Sequence, residues 1–484
     1  MRVPFPKHIP IGFLLLVLTL VLCIQLVQGT DPVFATLMLV AQVCAMTAFN
    51  LMGGMTHMAG AFCLFAMLPA VTVPELAHVF LGQPGDFNLI HPLTTAAVCA
   101  VFFGCVMVAA WVVSSMSHPA PLLDHVRFSL FELRTISVFA CAAALSILIR
   151  MITFQEALQD GSLLAALNHF SPILIAISVM MATYVRITLT RGASVMNGFV
   201  AFLLILAIVP GVLSASKEGM LMPLLCWIVV VASSNHRFSG LGILGLATVL
   251  FVVWAFVFPF SQNARFSVRS AGKLSEKVEL IMEFIRNPSH FPGSTDSEAA
   301  SREFGSATSK ANIVGRYSVL PSIGMLIDAD EKLGYTSINR YTPVLLSVVP
   351  HALWPNRPAP ITSNELGHKA GFPMGTGDTT TGIAIGSPAL FFDLGGWFAL
   401  IIYTLFCFLI FFLVTVRVVS SSQTGIWGLV AVGTEGNIAG NASPADMFSM
   451  VFTFLVVFIV TIGVLKIISN IAEAMLSRPI ATRA

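Results

Sequence analysis

The amino-acid sequence predicts an all-α, polytopic integral membrane protein with one large extracytoplasmic loop that contains short helices. Of its 484 residues, 56% are hydrophobic and only 10% are charged, which is far from the composition of water-soluble domains. Runs of about 20 apolar residues, enough to cross the hydrocarbon core, recur along the chain and predict about 12 transmembrane helices. The net charge of +2 gives no reason to expect a nucleic-acid partner.

Nine of the apolar runs precede residue 261, and we predict that residues 1–260 form an N-terminal transmembrane bundle. They are Ile9–Val27, Val33–Leu51, Ala59–Val79, Pro92–Val113, Ile136–Met151, Ser171–Leu189, Asn197–Ser214, Met220–Ser234 and Leu241–Phe260. Residues 387–484 hold the last helices and a cytoplasmic tail, with runs at Pro388–Val418, Gly425–Ala439 and Met447–Ile468. Because Gly425–Ala439 is short and rich in glycine, a re-entrant segment is the alternative there.

The distribution of basic residues predicts that both termini are cytoplasmic, since short cytoplasmic loops retain Lys and Arg. In that orientation the short outer loops hold only Arg150 and Lys217. The inner segments hold Arg2, Lys7, Arg127, Arg134, Arg186, Arg191, Arg237, Arg417, Lys466, Arg478 and Arg483. The first apolar run has no convincing small-x-small cleavage site, so we interpret it as a retained span rather than a signal peptide.

Residues 261–386 interrupt the hydrophobic pattern, and we predict that they form the large extracytoplasmic loop. Within it, Leu274, Val278, Ile281 and Ile285 recur at helical spacing, which predicts an amphipathic helix that lies on the membrane or caps the bundle. All eight cysteines fall in predicted spans, so disulfides and cysteine-based metal sites are not expected. The sequence has no Walker loop, no dinucleotide fingerprint and no metal-ligand spacing, and we therefore expect no cofactor and no metal.

The most informative segment is Arg316–Phe398. It contains GYTS at Gly334–Ser337, VPHALWPNRP at Val349–Pro358 and FDLGG at Phe392–Gly396 before a late apolar run. In these elements the chain resembles the bacterial O-antigen and oligosaccharide repeat-unit polymerases of the Wzy type. Three positions depart from that pattern: His351 and Lys217 stand where Arg is usual, and Ser387 stands near a position often occupied by Glu.

The resemblance implies a glycosyltransferase in the bacterial cytoplasmic (inner) membrane, working in polysaccharide biosynthesis of the cell envelope. Its substrates would be polyprenyl-pyrophosphate-linked oligosaccharides, polymerised at the outer face without a metal. Its partners would be the lipid bilayer and, as proteins, a chain-length regulator and a flippase. Two other functions stay open: an O-antigen ligase with the same donor, and a flippase or exporter of the lipid-linked glycan.

Such a reaction needs cations for the pyrophosphate leaving group and a base near the acceptor hydroxyl. For pyrophosphate binding the candidates are Lys217, Arg265, Arg316, Arg340 and Arg357. As catalytic residues we consider His351, Asp378 and Glu218. Each has a simpler alternative: solvated loop arginines, an exposed Lys217–Glu218 turn, an interfacial anchor at Arg357, a structural His351 and an ordinary turn at Asp378. For Asp393, capping of the late helix is the preferred interpretation.

Overall fold

A computed structural model describes the following residues: 5–117, 120–125, 129–153, 163–213, 215–234, 236–238, 240–252, 256–257, 260–261, 267–268, 271, 274–287, 318–346, 361–372, 382–419, 421, 426–435, 439–444, 446–447, 463, 466–467 and 470. Every element of regular secondary structure that spans several of these residues is a helix. The predicted all-α class is therefore confirmed for this part of the chain.

The first ten α-helices cover the N-terminal half of the chain. They are α1 (Ile11–Val27), α2 (Pro32–Leu51), α3 (Met58–Met67), α4 (Val73–Leu81), α5 (Pro92–Ser114), α6 (Leu130–Thr153), α7 (Leu163–Leu189), α8 (Gly198–Leu213), α9 (Lys217–Ser233) and α10 (Gly240–Val252). A π-helical segment, Leu68–Thr72, joins α3 to α4, so that Met58–Leu81 forms one helix of 24 residues.

Seven further α-helices follow. They are α11 (Leu274–Arg286), α12 (Leu320–Leu333), α13 (Ile338–Leu346), α14 (Ser363–Lys369), α15 (Ser387–Phe392), α16 (Gly396–Val418) and α17 (Ile426–Glu435). Within the described residues, four helices are long and apolar enough to cross a membrane: Pro32–Leu51, Met58–Leu81, Pro92–Ser114 and Gly396–Val418. Four more apolar helices are shorter, at Ile11–Val27, Leu174–Leu189, Gly198–Leu213 and Gly219–Ser233. The membrane character is thus supported, whereas the number of about 12 spans stays a prediction.

Packed aromatic rings form the centre of the bundle. Phe102 on α5 contacts Phe408 on α16 and Phe391 on α15, with ring centroids 5.5 and 5.4 Å apart. Phe62 on α3 lies 4.7 Å from Phe411 on α16. All five rings are almost completely buried, so α3, α5, α15 and α16 share one core, as close packing of a protein interior requires.

The π-helical segment leaves a backbone carbonyl available at mid-helix. In a π-helix the carbonyl of Pro69 would accept from the residue five positions later, but that residue is Pro74, which has no N–H. Val319, at the start of α12, supplies the missing donor, with its N–H 3.1 Å from the Pro69 oxygen. Pro69 is the twelfth of the 24 residues of Met58–Leu81, so α12 begins about halfway along this helix.

Helix α12 lies inside the bundle, although its residues belong to the predicted outer loop. Its Leu320, Ile323 and Leu326 are buried, and Asp328 near its other end approaches His91 at the start of α5, with 3.1 Å between Oδ1 and Nε2. The helix therefore runs from the middle of the bundle towards the end where α5 begins. The prediction that residues 261–386 form one outer loop is not confirmed.

The predicted span Pro388–Val418 is wrong as a single helix. In one straight helix, Phe391 and Phe408 would lie about 25 Å apart, yet their ring centroids are 6.2 Å apart. The chain reverses at Gly395 and Gly396, whose φ angles are +152° and +70°, a region that glycine adopts without the strain of a Cβ. Helix α15 consequently folds back against α16 and lies beside α12.

Two shorter predictions concern α17 and α11. Helix α17 has ten residues, Ile426–Glu435, but the residues directly on either side of it lie outside the described residues, so a span and a re-entrant segment both stay open for Gly425–Ala439. The amphipathic helix is confirmed as α11, and it caps part of the bundle because its buried Phe284 packs against Phe256 and Phe260. Of the four predicted apolar positions, Leu274, Val278 and Ile285 are exposed and Ile281 is partly buried.

Candidate functional site

Three helices end at the same point, at the end of the bundle where α5 and α16 begin. Asp330 lies in the last turn of α12, Lys369 is the last residue of α14, and Asp393 directly follows α15. The carbonyl end of a helix carries partial negative charge. Two acidic side chains at such ends are unfavourable by themselves, so this place requires a cation.

Lys369 is that cation. Its Nζ donates to Asp330 Oδ1 at 2.6 Å, to Asp393 Oδ1 at 2.5 Å and to Thr336 Oγ1 at 3.0 Å. An ammonium has three donors, and each is used. Tyr341 on α13 completes the group by donating its hydroxyl to Asp393 Oδ2 at 2.9 Å. We name these five residues, Asp330, Thr336, Tyr341, Lys369 and Asp393, the Lys369 cluster.

Asp393 does not cap the late helix, and that interpretation was wrong. The residue that precedes α16 is Gly395, and no side chain accepts from the first amides of this helix. Asp393 instead receives the backbone N–H of Thr336 on its own carbonyl, at 2.8 Å, and on Oδ1, at 3.2 Å. It therefore ties the connection between α12 and α13 to the end of α15.

Burial and charge decide how the Lys369 cluster titrates. The side chains of Asp330 and Asp393 are 0% exposed and that of Lys369 is 17% exposed. Burial, together with the neighbouring Asp393 carboxylate, raises the pKa of Asp330 to about 8. For Lys369, burial lowers the pKa, but the hydrogen bonds to both carboxylates outweigh it and the net pKa is raised. Near neutral pH the cluster thus holds one cation between a carboxylate and a carboxyl group that exchanges its proton.

One atom of the Lys369 cluster has no protein partner. Oδ2 of Asp330 is buried and makes no hydrogen bond, although a buried polar atom without a partner costs about 1–3 kcal/mol. Tyr341 does not compete for this role, because burial and Asp393 raise its pKa well above the ordinary range and it remains an O–H donor. The raised pKa of about 8 makes Asp330 a candidate for taking up and releasing a proton near neutral pH.

The local sequence determines where these helices begin and end. Helix α14 begins with a Thr362-x-x-Glu365 pattern, and Thr362 Oγ1 accepts from the Glu365 N–H at 3.1 Å, as in a capping box. Helix α12 ends at Gly334, whose φ of +86° and ψ of 163° lie in a region that is open essentially only to glycine. Gly386, before α15, has a φ of +96°, and a Cβ there would lie 2.8 Å from Val319 Cγ2.

Among the residues predicted for the site, only the side chain of Arg340 is described. Its Nη2 lies 2.6 Å from Glu365 Oε2, and both side chains are exposed, at 59% and 46%. Lys217 and Glu218 are the first residues of α9, and their side chains lie outside the described residues. Arg265, Arg316, His351, Arg357 and Asp378 lie outside them altogether, so their roles stay predictions.

Sequence reasoning missed the Lys369 cluster, although one signal was present. Ile323, Leu326, Ile327 and Asp330 follow the i, i+3, i+4, i+7 spacing of one helix face, which puts an acidic residue on an apolar stripe. An acid in that position needs a buried partner. Lys369 belongs to none of the motifs that carry the resemblance, so the sequence did not point to it.

The chain has no match to a known protein. Comparisons with protein-family models, with curated proteins and with solved structures all find none. Within the described residues, no group of three or more His, Cys, Asp or Glu side chains is placed to hold a metal ion. The geometry of the Lys369 cluster is therefore the guide to its chemistry.

Proposed function

We propose that this protein is a membrane glycosyltransferase that polymerises polyprenyl-pyrophosphate-linked oligosaccharide units at the outer face of a bacterial cytoplasmic membrane. The proposal combines the sequence resemblance with one structural observation. Two of the elements that carry the resemblance, GYTS and FDLGG, are 57 positions apart at Thr336 and Asp393 and yet are in direct contact.

The contact between these elements involves side chains and backbone. The Tyr335 ring packs against Phe392 with centroids 5.9 Å apart, and Lys369 binds both Thr336 and Asp393. Motif residues that are remote in sequence and meet around buried charges are typical of a functional site. This convergence supports a common role for the two elements.

In the proposed reaction, Lys369 and Thr336 are the members of the Lys369 cluster that reach the surface, and the Lys369 ammonium exchanges one of its three present acceptors for the pyrophosphate of the donor. Asp330 accepts the proton of the acceptor hydroxyl, because a pKa near the working pH suits a general base. Its side chain is 0% exposed, so this step requires the Lys369 cluster to open when the substrate binds. The acceptor oxygen forms a bond to the anomeric carbon, the bond from that carbon to the pyrophosphate oxygen breaks, and the polyprenyl pyrophosphate leaves with the electron pair. His351, Asp378 and Glu218 remain alternative bases.

The location of the cluster agrees with this proposal. It lies at the end where α5 and α16 begin, and the orientation predicted from the basic residues puts that end outside. A lipid-linked substrate would have its pyrophosphate at the same level, near the membrane surface. Both termini would then be cytoplasmic.

A second candidate is export of the same glycolipid. Helices α12 and α15 start side by side within the bundle, where Gly386 touches Val319 and Ile323. Discontinuous helices that begin at mid-membrane are typical of secondary transporters. This observation, which the sequence did not predict, keeps the exporter as the alternative.

Analysis of surface glycans in a strain that lacks the gene separates the functions. Loss of a polymerase leaves single repeat units attached to their final acceptor, which is the result we expect. Long chains that remain on the polyprenyl carrier would instead indicate a ligase. Repeat units retained on the cytoplasmic side would indicate an exporter, and unchanged glycan length would refute all three functions.

A further inference from the structure

A second buried polar group lies inside the membrane-spanning part of the bundle, away from the Lys369 cluster. Glu75 is on α4, within the candidate span Met58–Leu81, and is only 9% exposed. Its Oε2 accepts from Gln42 Nε2 at 2.8 Å. Gln42 is the eleventh of the 20 residues of α2, so this carboxylate faces the middle of a transmembrane helix.

The polar neighbours of Glu75 form a chain that lines a small cavity between α1, α2 and α4. Thr30 donates to Gln25 Oε1 at 2.6 Å, and Gln25 Nε2 donates to the backbone oxygen of Glu75 at 3.1 Å. The hydroxyl of Thr30 also accepts the N–H of Gly85 at 2.8 Å. We name this group, Gln25, Thr30, Gln42 and Glu75, the Glu75 cavity.

One hydrogen-bond acceptor of the Glu75 cavity, Oε1 of Gln42, has no donor. Its hydroxyl and amide nitrogens already donate to protein atoms, whereas Oε1 of Gln42 is buried and receives no hydrogen bond. Gln42 is 3% exposed. A site with a carboxylate and an unsatisfied amide oxygen recognises a hydrogen-bond donor or a cation, because the carboxylate repels an anion.

Among the residues that the structure describes, no basic side chain forms an ion pair with Glu75. Helices α1, α2, α3 and α5 contain no Lys, Arg or His, and α4 contains only His78. The other titratable groups nearby are the buried thiol of Cys99 on α5, the exposed Cys23 on α1, the partly buried Cys44 on α2, and Asp31 and Asp86 at the polar end of α2 and beyond α4. An ionised carboxylate inside a membrane span is costly without a counter-charge.

The size and charge of the cavity limit the kind of ligand that it can bind. Its volume is about 10 Å³, close to the space that one water molecule needs. A single positive charge would neutralise the carboxylate, whereas a divalent ion would leave a net charge in the membrane. The lining offers only hard oxygen ligands, which suit alkali ions and protons rather than soft metals.

We infer that Glu75 and Gln42 form an intramembrane site for one monovalent cation, either a proton or Na⁺. With Na⁺, the carboxylate and Oε1 of Gln42 bind the ion together. With a proton, the amide of Gln42 turns and its oxygen accepts the O–H of Glu75. The inference does not depend on the proposed glycosyl transfer, and it gives the protein an ion dependence that glycosyl transfer does not require.

Thermal unfolding of the purified full-length protein tests the site. Midpoints are compared in NaCl and in choline chloride, from mildly acidic to mildly alkaline pH, for the wild type and Glu75→Gln. The wild type should lose several degrees when alkaline pH and choline together remove the counter-charge, because a ligand that binds only the folded state stabilises it. Glu75→Gln is neutral and keeps the contact with Gln42, so it should lose far less.

Two controls sharpen this experiment. Glu283→Gln replaces an exposed carboxylate on α11 and should respond as the wild type does. Gln42→Met removes the second ligand, so a smaller response than that of the wild type is expected, which also serves if Glu75→Gln fails to accumulate. A midpoint in alkaline choline that NaCl restores identifies Na⁺, and one that only acid restores identifies the proton.

Labelling with dicyclohexylcarbodiimide provides an independent measurement. This apolar reagent enters the bilayer and adds to protonated carboxyl groups there, so mass spectrometry of the protein in vesicles should find the adduct on Glu75. Labelling should decrease at alkaline pH, and Na⁺ should protect the residue if it is the ligand. Equal responses of the wild type and both cavity variants to pH and Na⁺ would overturn the inference.

Discussion

The Lys369 cluster and the Glu75 cavity solve the same problem, a buried carboxylate, in different ways. In the Lys369 cluster the protein supplies the counter-charge, since one ammonium binds Asp330, Asp393 and Thr336. In the Glu75 cavity the protein supplies only amides and a hydroxyl. The chain itself therefore neutralises the charge of the Lys369 cluster, whereas the Glu75 cavity depends on a cation from its surroundings.

The largest expected effect comes from removing that internal counter-charge. Lys369→Met keeps the apolar stem of the side chain but leaves Asp330 and Asp393 buried without a cation. Breaking a buried ion pair in this way destabilises a protein by about 3–5 kcal/mol. We expect a large decrease in the thermal midpoint and in membrane abundance, measured by unfolding in detergent and by immunoblotting.

Lys332→Met is the matched control for this prediction. Its ammonium also contacts an aspartate, Asp328, at 2.6 Å, but the lysine side chain is 69% exposed. Exposed pairs of this kind contribute little, so the variant should unfold nearly as the wild type does. If the two variants lost stability equally, the contrast between a buried and a solvated charge would not hold.

A smaller effect is expected from a neutral partner of the Lys369 cluster. Tyr341→Phe removes the hydroxyl that donates to Asp393 Oδ2 and leaves a buried carboxylate oxygen without that donor. The cost should be about 1–3 kcal/mol in the free energy of unfolding, measured by denaturant titration. Tyr335→Phe removes the hydroxyl of a residue that is 50% exposed and should change the free energy of unfolding little. A loss in Tyr341→Phe that is no larger than the loss in Tyr335→Phe would contradict the prediction.

The smallest effect, when counted per pH unit, is a change in the free energy of unfolding with pH. An aspartate in an unfolded chain has a pKa of about 3.9, and folding raises that of Asp330 to about 8. Between these values the folded state retains a proton that the unfolded state has lost, so the free energy of unfolding falls as pH rises, by at most about 1.4 kcal/mol per unit. Asp330→Asn lacks this decline, so its free energy of unfolding should increase relative to that of the wild type as pH rises between these two pKa values.

Asp328→Asn should show the opposite trend. A hydrogen bond from Lys332 is the main cause that lowers the pKa of Asp328, so its contribution to stability is present above the unfolded pKa and is lost as pH falls through the folded one. Thermal midpoints of both variants and of the wild type over a pH series give the slope with which each variant's difference from the wild type changes with pH. Two slopes of the same sign would contradict the assigned electrostatics.

The sequence predicted the helical class and the main transmembrane helices, because long apolar runs are a strong local signal. It did not predict that α12 enters the bundle or that α15 turns back on α16. Both depend on contacts between residues far apart, such as Val319 with Pro69 and Phe391 with Phe408. Composition and periodicity describe a helix by itself and contain no information about such partners.

The candidate site was predicted less well, for a related reason. The resemblance directed attention to arginines and to His351, and it marked Gly334–Ser337 and Phe392–Gly396 without showing that they meet. Lys369 lies in neither element. Its role depends on two aspartates that are 39 and 24 residues away from it, a relation that only the folded chain reveals.

The hydrogen bond between Val319 and Pro69 also has a consequence for the order of assembly in the membrane. The two residues are 250 positions apart, so α3 and α4 are synthesised long before their partner exists. Until α12 arrives, the carbonyl that Pro74 leaves unpaired has no donor from its own helix. Helix α12 can therefore pack against α3 and α4 only after about two thirds of the chain has been synthesised, which makes its insertion a late step that completes the core.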